Sequence, residues 1–167
     1  MGIVGSDSGM QPWQDETITS YTQKVFTDYA TEHEGLIIPP YYADDPDDIV
    51  DITDSKTLKE YRDEGYFPIN KSVEEFGDTE EYIVAIYSLG ELVFEEMEAA
   101  VGKEDFYSVL REYVHRNAFK NADPESFFEI LYECTGDDNE KLNAIIAAAF
   151  DLPETNSFVK IQLENSI

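Results

Sequence analysis

The sequence predicts an all-α protein, a bundle of five or six helices. Three observations predict it. Apolar residues recur at three- and four-residue steps through most segments. Helix-start and helix-stop residues bracket those segments. The two-residue alternation of a half-buried strand is nearly absent.

The first helix should begin near Pro12, a residue suited to a first helical turn, with Ile18, Tyr21, Val25 and Tyr29 as its buried stripe. Gly35 and the Pro39–Pro40 pair stop it. Residues 41–54, YYADDPDDIVDITD, are dense in aspartate and read as an exposed loop. Carboxylates this close could hold calcium, but the ligand order and glycine of a calcium-binding helix–loop–helix motif are missing. A solvated acidic loop is the commoner use of such a run. SKTLKEYRDEG is a short helix ending at Gly65, and FPINKSVEEFG looks irregular. The strongest helix opens at Asp78, whose capping box Glu81 completes three residues on. Its stripe is Ile83, Ile86, Tyr87, Gly90, Phe94, Met97 and Val101, and Gly102 ends it.

KEDFYSVLREYVHRN should bury Phe106, Val109, Leu110, Tyr113 and Val114. Asp123 caps the next helix, with Pro124 at its first position, and the helix runs to Gly136. EKLNAIIAAAF is the last helix, stopped near Pro153. Residues 1–152 thus read as one helical unit. The tail 153–167 alternates Val159, Ile161 and Leu163 with polar residues, as a short strand would.

The 167 residues carry 37 acidic side chains against 11 basic ones, a net charge of −26. A field of that sign repels nucleic acid and anionic membranes and attracts cations and basic partners. It also serves simply as a highly soluble surface. A DNA mimic or a trap for basic proteins would share it. No apolar run approaches the roughly twenty residues of a membrane span, so neither nucleic acid binding nor membrane insertion is expected. Cys134 is the only cysteine, so no internal disulfide forms, and the compartment stays open.

Several chemistries are missing. The sequence has no glycine-rich phosphate loop and no G-x-S-x-G serine elbow. His33 and His115 lack the spacing of a helical metal pair and read as surface residues. Cys134, beside Leu131 on an apolar face, reads as a packed core thiol rather than a nucleophile. Glu16 follows a tryptophan and an acid at the start of the first helix. Such a carboxylate either stabilises the helix through its dipole or is a metal ligand or acid/base group on a rigid scaffold. Tyr87, on its stripe, is read by pattern alone as core.

A resemblance bears on both residues. GIVGSDSGMQPWQDETITSYTQKVF resembles the segment that follows the zinc motif in the gluzincin aminopeptidases, the family of aminopeptidase N. In those enzymes H-E-x-x-H lies on one helix, and a second helix opens with W-L-x-E-G, whose Glu is the third zinc ligand. PWQDET stands here where the family has PWLDEG or similar. The run from Ile86 is similar to the family's Y-x-K-G helix, its G-x-x-x-F…L-x-x-Y-V segment and its N-A-T-x-x-D-F helix start. The resemblance covers roughly Gly2 to Phe150, and its strength lies in the order of these motifs.

The resemblance implies that Glu16 is a zinc ligand, since a catalytic zinc takes three protein ligands and keeps one position open. It implies that the Tyr87 hydroxyl hydrogen-bonds the oxyanion of the attacked peptide carbonyl. Gly90 would allow close helix packing. The fold it implies is the helical subdomain of a thermolysin-like catalytic domain. Thr17 stands where the family usually has glycine, Leu89 where it often has lysine, and Gln14 where leucine is usual. These departures fit a divergent member or one relaxed from catalysis.

H-E-x-x-H itself is absent. In the family about eighteen residues separate its second histidine from the Glu ligand, which would place it just upstream of Met1. The expectation is therefore a chain cut just after the zinc helix, from a parent that removes N-terminal residues from peptides. Zinc belongs to that parent and would not be bound here, and the fragment would be inactive. Its exposed apolar face around Tyr87 should favour a homodimer. The competing readings are a non-catalytic acidic helical module for basic partners, and a pseudoenzyme with a broken zinc motif. The coding sequence upstream of the first codon separates all three.

Overall fold

A computed structural model describes residues 3–34 and 56–152. Among them every regular element is helical, as expected from the sequence: α1 (Pro12–Glu34), α2 (Leu58–Asp63), α3 (Thr79–Ile83), α4 (Gly90–Val101), α5 (Lys103–Asn117), α6 (Pro124–Thr135) and α7 (Glu140–Ala149). A π-helical segment, Val84–Leu89, joins α3 to α4 without a break. The three make one rod, so the bundle has six. A single turn of 3-10 helix, Val73–Glu75, interrupts the irregular stretch before α3. The Gly35 and Pro39–Pro40 stop, the aspartate-rich loop and the tail strand lie outside the described residues.

Local chemistry explains the helix ends. Thr57 and Glu60 form a reciprocal capping box at α2, and the Asn139 side chain accepts from the Leu142 N–H at α7. Asp78 caps α3 by accepting from the Glu81 N–H at 2.8 Å. The expected box is only half formed, because the Glu81 carboxylate takes the Gly77 N–H and the Lys71 ammonium instead. Asp123 stands at the start of α6 without a side-chain capping bond. Gly102 and Gly136 end α4 and α6 at φ 94° and 79°, a region that favours glycine.

The core is aromatic. Trp13 packs edge-on to Phe127 and Phe150, with ring centroids 5.6 and 5.2 Å apart, and lies 5.7 Å from Phe128. About two turns further along α1, Tyr21 meets Phe94 and Phe106, and its hydroxyl donates to Glu98. α1 and α4 therefore run side by side in the same direction. The N-terminal lead-in is pinned across the bundle by the Gly5 N–H to the Lys120 carbonyl and the Ala122 N–H to the Gly5 carbonyl. Asn70 pairs with the backbone of Asp151, closing the far side.

Some stripe positions differ from expectation. Tyr29 is exposed and stacks on His33, while Ala30 turns inward. Ile83 is exposed, because the π segment opens immediately after it and resets the register of the rod. Val114 is exposed at the edge of α5. Cys134 is also exposed, which overturns its reading as a core thiol. The buried face of α6 closes with Leu131 and Tyr132, and its last turn lies beside the Arg116–Glu133 ion pair at the bundle edge.

Candidate active site

Three features set the position of Glu16. Trp13, fully buried, anchors the first turn of α1, and its indole N–H donates to the Gln11 side chain at 2.9 Å. Asp15, not Glu16, is the acid in the first turn, and it accepts from the Ser8 hydroxyl at 2.9 Å. The helix dipole acts mainly within that turn, so Asp15 takes the dipole role and leaves Glu16 without it. Thr17, fully buried, faces the α3–α4 rod.

Tyr87 lies on the π segment, directly across from this part of α1. The Glu16 carboxylate lies near enough to act on its phenol. Burial first, then the Glu16 carboxylate, then Tyr82, push the Tyr87 hydroxyl well above the ordinary tyrosine range. It therefore stays protonated, as a donor, at neutral pH. The structure thus brings together the two residues that the sequence singled out.

Tyr82 is a third member, which sequence reasoning missed. Its ring meets that of Tyr87 edge-on at 6.1 Å. Burial, followed by the Glu16 charge, raises its hydroxyl above the usual range. Five residues exceed one α-helical turn, so Tyr82 falls off the stripe counted at 3.6 residues per turn. The wider π turn brings residues five apart onto a common face.

The departures from the family pattern are buried. Gln14 donates from Nε2 to the Tyr113 hydroxyl at 3.2 Å, and its Oε1 has no partner. Thr17 donates to the Ile86 carbonyl at 2.5 Å. Gly90 is held against it: a Cβ there would lie 2.4 Å from Thr17 Oγ1. This confirms the close packing expected at Gly90.

His33 and His115 are both exposed, at the ends of α1 and α5. Cys134 lines a surface groove with Arg111 and His115, on α5 and α6. Burial and then the Glu112 charge raise its thiol above the ordinary value, the reverse of an activated nucleophile. Among the described residues no three His, Cys, Asp or Glu side chains are placed to hold a metal. A single carboxylate such as Glu16 could supply only one of the three protein ligands a catalytic zinc takes. No helix of the described residues is long and apolar enough to cross a membrane.

The sequence matches the family profile described as Peptidase family M1 domain over residues 3–148, and the chain belongs to that family. Peptidases of this family are zinc enzymes. No curated protein and no solved structure matches the chain.

Proposed function

We propose that this chain is the helical half of a zinc aminopeptidase catalytic domain, in which Glu16 is a zinc ligand and Tyr87 the oxyanion donor. The observation that carries the reading is that α1 and the π segment are joined at Thr17 and the Ile86 carbonyl, the chain neighbours of Glu16 and Tyr87, which places the carboxylate near the phenol. A helix-borne carboxylate is a suitable third ligand, because its scaffold fixes it before the metal arrives. A phenol kept protonated beside it is a suitable donor to charge that develops on a carbonyl oxygen. When bound, zinc supplies an electrophile for the peptide carbonyl and activates a water.

What this chain's own residues do follows from their placement. Glu16 orients its carboxylate towards the Tyr87 side. Tyr87 holds a proton on its hydroxyl and offers it as a hydrogen bond. Tyr82, edge-on to Tyr87, limits the swing of that ring. The chain has no H-E-x-x-H, so two histidine ligands and a general base must come from other polypeptide. Alone it is inactive, because one carboxylate holds zinc poorly and nothing remains to deprotonate water.

The test is an aminoacyl-p-nitroanilide assay on these residues joined behind an H-E-x-x-H helix. The joined protein should hydrolyse the anilide, and the chain by itself should not. Tyr87→Phe should lower kcat by about 10²-fold with KM little changed, as expected for a group that bonds only the transition state. Equal kcat in the two proteins would refute the role of Tyr87. An upstream native sequence with a broken zinc motif would favour a pseudoenzyme.

A further inference from the structure

We infer that Thr17 is a positioning residue for Tyr87, holding the π segment open through the Ile86 carbonyl. The inference deepens the proposed function, since it rests on Tyr87 being the donor of that site.

In an α-helix the Gly90 N–H would bond the Ile86 carbonyl four residues back. Here it bonds the carbonyls of Ala85 and Tyr87 instead. The Ile86 carbonyl, immediately before Tyr87, loses its usual donor. Ile86 is fully buried, so water is not an easy substitute, and an unpaired buried carbonyl is costly. The Thr17 hydroxyl takes the vacated place at 2.5 Å. A side chain inserted into the helix ladder in this way is a recognised cause of local unwinding.

Three further features make Thr17 more than a filler. It is 0% exposed, so its hydroxyl has no solvent alternative. It follows Glu16 directly in the chain, so one turn of α1 carries both the carboxylate and the group that shapes the opposite segment. Gly90 leaves room for its Oγ1 and Cγ2, which a Cβ would approach to 2.4 and 2.7 Å. A regular α-turn here would rotate Tyr87 away from Tyr82, because five-residue neighbours share a face only in the wider turn. The Thr17 bond therefore fixes the turn from which the phenol projects beside Tyr82.

The experiment is a double-mutant cycle on the chain as it is, with no metal or substrate. Glu16→Ala and Tyr87→Phe, singly and together, give the coupling of the pair from urea unfolding constants. With Thr17 in place the coupling should be about fivefold. In a Thr17→Val background, which keeps shape but loses the hydroxyl, it should fall to within about twofold of none. Thr17→Ser should restore it. A residue that merely fills space would lower stability in all backgrounds and leave the coupling unchanged, and that result overturns the inference. If the Val variant does not fold, the wild-type chain decides by nuclear magnetic resonance. A slowly exchanging Thr17 hydroxyl proton close to the Gly90 α-protons is expected, and a rapidly exchanging one contradicts the inference. Failure of the zinc role of Glu16 would leave every arm of this cycle interpretable.

Discussion

Two buried regions one turn apart on α1 are built on opposite principles. Around Trp13 the contacts are large, apolar and aromatic, made with Phe127, Phe128 and Phe150. Around Thr17 they are small and polar: one hydroxyl, one displaced carbonyl and one glycine. The first region holds the start of the helix in place by bulk, and several residues share the task. The second depends on a matched pair in which each partner fits only the other. The bulk fixes where α1 lies, and the matched pair fixes what it faces.

The largest expected effect comes from the aromatic side. Trp13→Ala should cost about 3–5 kcal/mol in urea unfolding, because the cavity is walled by rings that cannot collapse into it. A loss below about 1 kcal/mol would mean that Trp13 does not anchor the helix.

Gly90→Ala should cost about 3 kcal/mol, since the added methyl meets Thr17 at 2.4 Å and both elements are helical. Thr17→Gly in the same chain should recover part of that loss. This compensation sharpens the contrast, because no single replacement elsewhere should rescue Trp13→Ala. Independent, additive losses from the two changes would dissolve the matched pair.

Thr17→Val should cost about 2 kcal/mol, mainly from leaving the Ile86 carbonyl buried without a donor. Serine at the same position should lose less. A Val variant as stable as the wild type would show that water reaches the carbonyl.

The smallest effect separates both buried regions from the surface. Glu60, Glu75 and Glu81 are held below the ordinary glutamate value of 4.5 first by the N–H groups of Thr57, Ser72 and Gly77. A depressed folded value means stability that is present above the unfolded value and lost as pH falls through the folded one. The triple Gln variant should therefore be less stable than wild type at pH 6, with the gap closing as the pH falls below the ordinary glutamate value of 4.5. Comparing the two proteins at each pH cancels the general relief of acidic repulsion on acidification. A gap that stayed constant would remove these caps from the pH response.

The same contrast decides what was legible in the sequence. Helix starts at Pro12 and Pro124 and stops at Gly102 and Gly136 are punctuation that acts locally, and they stand as expected. The buried aromatics follow helical spacing, which reports bulk. Glu16 and Tyr87 became visible only through resemblance, since their meeting is a long-range event. Tyr82 was missed and Ile83 misplaced because spacing assumes 3.6 residues per turn, and a π segment does not obey it. Thr17 looked like a loss relative to the usual glycine. Its role is legible only when the Ile86 carbonyl is seen without its helical donor. Cys134 was misread because an apolar neighbour along the helix does not show where the bundle ends.

The most direct test concerns Glu16 as a zinc ligand. Zinc content would be measured by mass spectrometry on these residues joined behind an H-E-x-x-H helix, after dialysis against a weak chelator. The wild-type and Tyr87→Phe proteins should both retain zinc, while Glu16→Ala should lose most of it. Full zinc retention by Glu16→Ala would contradict the role assigned to that carboxylate.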